Sequence, residues 1–254
     1  MNASLLAKSA IALTCGLTIA FGSISPSASA GSKQTVRQGL PGRRISGGVR
    51  TTCFEDSTQS LVAVMPRNLL GKTAQAHPTF WFSLPDTQSA KSIRFELFDT
   101  SDNVVYSTQI DQSYTSGLSK VELPPTAPGL AAGENYRWVF DISCENDPDN
   151  ASLEVQGWVR KVEISADLSA QIASASLAEQ AYFYEEADLW HEQITALADL
   201  RSRNPASLEA QLRWAALVQA SGLDSYISDN PLETTISTVN THSAASTNSA
   251  AAER

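Results

Sequence analysis

Leu130-Ala131-Ala132-Gly133-Glu134-Asn135-Tyr136-Arg137-Trp138-Val139-Phe140-Asp141-Ile142 is the stretch on which the fold turns. Tyr136, Trp138, Phe140 and Ile142 fall at every second position, with Arg137, Val139 and Asp141 between them. Strand side chains alternate between faces, so this spacing presents one broad apolar face to a core. Just upstream, Leu130, Gly133 and Tyr136 have the Leu-x-x-Gly-x-x-Tyr spacing of a tyrosine corner. In that motif the phenol bonds a backbone group a few residues back and pins a turn between sheets.

Similar strand signals lie on both sides. Leu61-Val62-Ala63-Val64-Met65 stops at Pro66, and Thr79-Phe80-Trp81-Phe82-Ser83-Leu84 stops at Pro85. Ile93, Phe95 and Leu97 alternate with Arg94 and Glu96. Asp99-Thr100-Ser101-Asp102-Asn103 then turns the chain into Val104-Val105-Tyr106-Ser107-Thr108-Gln109-Ile110, a hairpin. Val121-Glu122-Leu123 ends at Pro124-Pro125, and Leu153, Val155 and Val159 alternate with Glu154, Gln156 and Arg160. About seven short strands with turn residues between them predict an antiparallel β-sandwich over residues 49–165. With the corner motif, the expected packing is immunoglobulin-like or fibronectin-III-like.

At Ala166 the period changes from strand to helix. Leu168, Ile172 and Ala175, then Leu177, Ala181 and Tyr184, recur at helical spacing. Asp188 reads as a cap. Trp190, Ile194, Leu197 and Leu200 form the next stripe, and Asn204-Pro205 closes it. Leu208, Leu212, Ala215 and Val218 follow, ending at Gly222. Residues 166–224 are therefore expected to form three antiparallel helices, which makes the chain α+β.

The ends carry different information. Residues 1–30 have one charge, Lys8, then an apolar run from Ala10 to Phe21, then Ser25-Pro26-Ser27-Ala28-Ser29-Ala30. That order is a secretory signal peptide cleaved near Ala30. The apolar run is too short for a spanning helix, so no transmembrane span remains after cleavage. Cys15 sits mid-segment behind a poor lipobox. Residues 31–48, with Pro41-Gly42, Gly47-Gly48 and the basic pair Arg43-Arg44, read as a solvated linker. Residues 225–254 read as a disordered tail, because from Asp229 onward the chain is mostly Ser, Thr, Asn and Ala. After cleavage two cysteines remain, Cys53 and Cys144. In an exported chain an even pair reads as one disulfide, and two buried thiols are the other reading.

The whole chain of 254 residues has 18 Lys+Arg against 27 Asp+Glu and a net charge of −9. The acidic balance argues against nucleic acid and against an anionic membrane surface. An apolar content of 42% supports a real core. The pattern contains no nucleophile elbow, no His-Glu-x-x-His and no phosphate loop, so no catalytic residue, cofactor or metal site is expected. His77, His191 and His242 take bland surface or packing roles. Asp99, Ser101 and Asn103 lack the Gly and distal Glu of a calcium loop. Glu145, Asp147 and Asp149 near Cys144 are the one place for a metal-assisted hydrolase. Trp81 and Trp158 are out of phase with the apolar faces of their strands. They meet the helical unit, follow a bulge that flips the register, or face a ligand such as a sugar ring.

Two resemblances extend this reading. Leu177, Ala181 and Tyr184 with Trp190, Ile194, Leu197, Leu200 and Pro205 resemble one tetratricopeptide repeat, with a departure at Gln193. One unit cannot build a solenoid groove. Pro41-Gly42-Arg43-Arg44, Pro78-Thr79-Phe80-Trp81-Phe82, Leu123-Pro124-Pro125, Tyr136-Arg137-Trp138 and Gly157-Trp158-Val159-Arg160 together resemble an exported cyanobacterial domain-of-unknown-function family, number nine-two-eight. The resemblance implies export and this domain order, and it implies no catalytic residues. The expected role is a non-enzymatic protein-interaction or structural module of the cell envelope, periplasmic or secreted. A carbohydrate- or polymer-binding module using Trp81 and Trp158 is the alternative.

Overall fold

The computed structural model describes residues 40–47, 60–85, 91–110, 117–144 and 152–227. Eight strands precede four helices, an α+β arrangement. The strands are β1 (Val62–Ala63), β2 (Leu70–Thr73), β3 (Thr79–Leu84), β4 (Lys91–Phe98), β5 (Val104–Ile110), β6 (Gly117–Glu122), β7 (Asn135–Cys144) and β8 (Ser152–Lys161). The helices are α1 (Ala166–Ser174), α2 (Leu177–Glu186), α3 (Trp190–Arg203) and α4 (Leu208–Ser221). One sheet has the order β1-β3-β6 and the other β2-β8-β7-β4-β5. All these elements belong to one compact unit.

The two sheets share a core built from the alternating positions. Phe80, Phe82 and Leu84 of β3 meet Ile93, Phe95 and Leu97 of β4 and Trp138, Phe140 and Ile142 of β7. Phe82 stacks on Phe140 at 4.1 Å between centroids, and Phe80 lies 4.9 Å from Phe95. Each such ring withdrawn from water stabilises by about 1.5–3 kcal/mol. A second core lies on the other face of the three-stranded sheet. There Val62, Val64, Trp81 and Leu118 pack against Ile194, Leu197, Trp214 and Val218 of the helices.

Several expectations need correction. The sheets are not wholly antiparallel, since β2 runs parallel to β8 with Leu70 opposite Trp158. β2 has four residues, one of them Gly71, and carries no alternating apolar signal of its own. Residues 40–47 are not a solvated linker. Arg43 exchanges backbone bonds with Gln156 at 3.0 and 2.7 Å, and Ser46 donates its N–H to the carbonyl of Leu61. The edge strand β1 and the part of β8 that the short β2 leaves uncovered offer free backbone groups that this segment reaches, and no local pattern announces that pairing. Arg44 donates from Nη1 to the carbonyl of Ser221, and Arg67 donates from Nε to that of Ala220 at 3.1 Å. These two arginines serve the carbonyl end of α4, which has no basic residue in its own last turn. Burial, and then the neighbouring Arg67, lower the Arg44 pKa from its ordinary value.

The helices among the described residues number four, not three. Ala175 is extended at φ −86° and ψ 153°, and Ser176 restarts the chain with a reciprocal capping box to Glu179. Asp188 is not a cap. It adopts φ 54°, a left-handed conformation that Asp tolerates, and its carboxylate pairs with Lys72 at 2.6 Å. The helix phase of α4 is also different from the one expected. Ala210, Trp214, Leu217, Val218 and Ser221 are buried, while Leu208, Leu212 and Ala215 face outward. The sequence supports two apolar stripes, and the one carrying the large Trp214 indole takes the core. The tail boundary moves as well, because Ile227 is buried and donates its N–H to the Leu223 carbonyl.

Candidate functional site

α3 is the central helix, with His191, Glu192, Ile194, Ala196, Leu197 and Ala198 all buried. Such burial around most of the helix places it between other elements rather than on a surface. Its first turn meets β2 and the start of β3. Trp190 donates from Nε1 to the carbonyl of Val64 at 3.0 Å. His191 donates from Nδ1 to the carbonyl of Thr79 at 2.9 Å and lies edge-on to Phe80. Its Nε2 has no partner among the described residues. That edge of the ring lies against Gly71, where a Cβ would stand 2.9 Å from Cδ2 and nearer still to Nε2. Desolvation is the largest influence on His191 and lowers its pKa, against weaker opposition from the Thr79 bond and Glu192. The imidazole is thus held neutral, which fits an Nε2 without a hydrogen-bond acceptor.

Glu192 is only 8% exposed. Its Oε1 accepts three bonds from the turn after β2: from the Thr73 hydroxyl at 2.7 Å, the Ala74 N–H at 2.8 Å and the Gln75 N–H at 3.1 Å. Its Oε2 has no partner among the described residues. A buried carboxylate oxygen left unpaired is costly, so this asymmetry marks the site. Glu192 lines a cavity of about 220 Å³ between this turn, α2 and α3. Asp199, Tyr184, Gln180, His77 and Gln75 contribute polar groups to it, and no Lys or Arg among the described residues lines it. Burial first, and Glu192 second, raise the Tyr184 pKa, so its hydroxyl stays protonated and able to donate. Gln180 donates from Nε2 to the Ala175 carbonyl at 2.9 Å. No group of three or more His, Cys, Asp or Glu that would hold a metal ion occurs among the described residues.

The residues singled out in the sequence do not converge here. Trp81 is 7% exposed, lies under the helices and donates from Nε1 to the Thr195 hydroxyl at 3.0 Å. Trp158 is half-buried and donates from Nε1 to the carbonyl of Pro41 at 2.8 Å. Both indole N–H groups are bonded within the protein, and the buried Trp81 offers no ring face to a sugar, while Trp158 keeps part of its surface in solvent. The phenol of Tyr136 accepts from the Ala131 N–H at 3.1 Å, Leu130 is buried, and Gly133 turns at φ 83°. Asp99 accepts from the N–H groups of Ser101 and Asn103 and from the Asn103 amide, as in a closed hairpin turn. His77 has Nε2 3.0 Å from the Ala127 carbonyl. Cys144 is half-buried beside the main core. Cys53 and the acidic residues Glu145, Asp147 and Asp149 lie outside the described residues, as do the signal segment and residues 228–254.

Glu192, Asp199 and Gln180 were not visible as a site in the sequence. The available signal was a helix whose apolar residues Ile194, Ala196, Leu197 and Ala198 spread over more than one face, with the two carboxylates Glu192 and Asp199 among them.

An all-β pair of sheets with a helical layer over one of them, and a carboxylate-lined cavity beneath the central helix, defines an α+β protein without a recognisable catalytic constellation among its described residues. The chain matches the family described as Domain of Unknown Function (DUF928) over residues 45–232, and it belongs to that family. No curated protein matches it. No helix among the described residues is long and apolar enough to cross a membrane.

Proposed function

We propose that this protein is an exported, non-enzymatic interaction module of the cell envelope. The carrying observation is the outward stripe of α4. Leu208 is 67% and Leu212 61% exposed, one turn apart on the same side, with Ala215 continuing the row. Neighbouring large apolar side chains in water are the usual mark of a surface that meets a partner. We read the two sheets as a sandwich with immunoglobulin-like connectivity, supported by the strand order and the Tyr136 bond, and the helices as a tetratricopeptide-like layer. Export rests on the order of residues 1–30 and on the pairing of Cys53 with Cys144, both read from the sequence.

Three measurements test this reading. The mature N-terminus should be Gly31, and thiol titration of the unfolded, unreduced protein should find none free. A photoreactive amino acid at position 212 should crosslink in living cells to one discrete protein. The same group at Ser169, exposed on α1, should not. Equal or absent crosslinking at the two positions overturns the interaction role.

A further inference from the structure

We propose that α4 pairs antiparallel with α4 of a second copy of this chain, about a two-fold axis between Leu212 and Ala215. This inference rests on the reading of α4 as an interaction surface and names its partner.

The spacing of the outward residues defines a seam. Leu208, Leu212, Ala215 and Gln219 all face solvent, at steps of four, three and four residues. Those steps hold the four side chains in one narrow stripe about 16 Å long. A stripe of this period is buried by a second helix, knob into hole. The seam is graded in size. Its N-terminal half carries the two leucines, and its C-terminal half carries Ala215 and Gln219 with exposed Ala216 and Ala220 on the flank. A parallel copy would set leucine against leucine and leave a gap between the alanines. An antiparallel copy sets Leu212 over Ala215 and Ala216 of the other chain, and Leu208 over Gln219 and Ala220. Large side chains then meet small ones at each level, and the two-fold axis repeats every contact.

Charge favours the same orientation. Glu209 and Arg213 are the only charged residues of α4, and they pair with each other. The face is thus close to neutral on a chain of net charge −9, and pairing gathers no surplus of carboxylates. At the other end of the helix, exposed Arg67 donates to the Ala220 carbonyl at 3.1 Å and pairs with no carboxylate among the described residues. Glu209 and Ala220 share one flank of the stripe, because the eleven residues between them make about three turns. Helical side chains lean toward their own N-terminus. In the antiparallel pair Glu209 therefore leans toward the C-terminal end of the facing α4, where Arg67 of the other copy stands. Arg213 uses only Oε1 of Glu209, so Oε2 is left for that guanidinium. One 14-residue helix from each copy buries less than a standard interface of about 1,600 Å², so the dimer is weak, with dissociation in the micromolar range.

The full mature chain is followed by sedimentation velocity from low micromolar to several hundred micromolar. A reversible passage from monomer to dimer is expected. Leu212→Glu puts a carboxylate at the centre of the seam, at a position that faces solvent in the single chain. The fold should be kept, and the dissociation constant should rise about tenfold or more. Should that variant not fold, Leu208→Glu decides, with the same expectation. Orientation is read from a photoreactive amino acid at position 208 in a mixture of isotopically light and heavy chains. Its crosslinks should join light to heavy chains and land between residues 216 and 222. The inference is overturned if the chain stays monomeric throughout, or if folded Leu212→Glu, or Leu208→Glu in its place, dimerises like the parent. It is also overturned if the crosslinks land around residue 208 of the other copy, or stay within one chain beyond residue 227, where the tail would be the occupant. A chain that is monomeric in solution and still crosslinks from position 212 to a different protein in cells overturns self-pairing and leaves the interaction role standing.

Discussion

Replacing Gly71 by Ala places a methyl group against a ring that has nowhere to go. The new carbon would stand 2.9 Å from Cδ2 of His191 and closer to Nε2. His191 is held by its bond to the Thr79 carbonyl and by the edge of Phe80, 5.0 Å away between centroids. Relief therefore requires the ring to swing and give up the bond, or β2 to move from β8. Overpacking of this kind costs about 1–3 kcal/mol. A lost hydrogen bond adds about 0.5–1.5 kcal/mol. The smaller backbone entropy of Ala in the unfolded chain returns about 0.4–1 kcal/mol. The net expectation is a destabilisation of about 2–3 kcal/mol. Urea unfolding at neutral pH, followed by tryptophan fluorescence, measures it. The decisive comparison is the same substitution in a His191→Ala background, where the methyl group finds room. There Gly71→Ala should cost less than about 0.5 kcal/mol, so the two changes couple strongly. A Gly71→Ala protein as stable as the parent, or an equal cost in both backgrounds, would refute the close packing of α3 on β2.

Three further outcomes are expected. Stability should fall with acid below about pH 6.5, because His191 has a depressed pKa when folded and binds its proton more readily when unfolded. Its contribution is fully present above the unfolded value of 6.5 and is lost as the pH drops through it. His191→Gln should flatten that part of the urea-midpoint profile, and an unchanged slope would place the titration elsewhere. Tyr136→Phe removes the acceptor for the Ala131 N–H and should cost about 1 kcal/mol in the same unfolding assay. Trp81→Ala should cost about 3–5 kcal/mol as a buried indole, against about 1–2 kcal/mol for half-buried Trp158→Ala. Equal costs would contradict the burial of Trp81 beneath the helices.

Legibility followed the range of the forces involved. The strands β3, β4, β5, β7 and β8 were readable because period-2 alternation is written within each segment, and the turn chemistry of Asp99 and the corner at Tyr136 lies within a few residues. β2 was not, since four residues with a central glycine gain their strand conformation from the β8 edge. Residues 40–47 were misread for the same reason. Helical period was legible in α3 and α4, and phase in α3, where Trp190, Ile194 and Leu197 meet the core, but not in α4. Leu208 and Leu212 are as apolar as Leu217, and only competition for the space occupied by Trp214 separates them.

The sequence by itself determined the α+β class, the change from strand to helix near Ala166 and the family. These depend on local periodicity, capping and composition, which a linear chain records. The tertiary structure alone decided that Trp81 and Trp158 face inward partners, that α4 shows its leucines to solvent, and that Glu192 lies half-satisfied beside a cavity. Those outcomes depend on which surfaces meet across more than a hundred residues of chain, and on which buried polar atom finds no donor when they do.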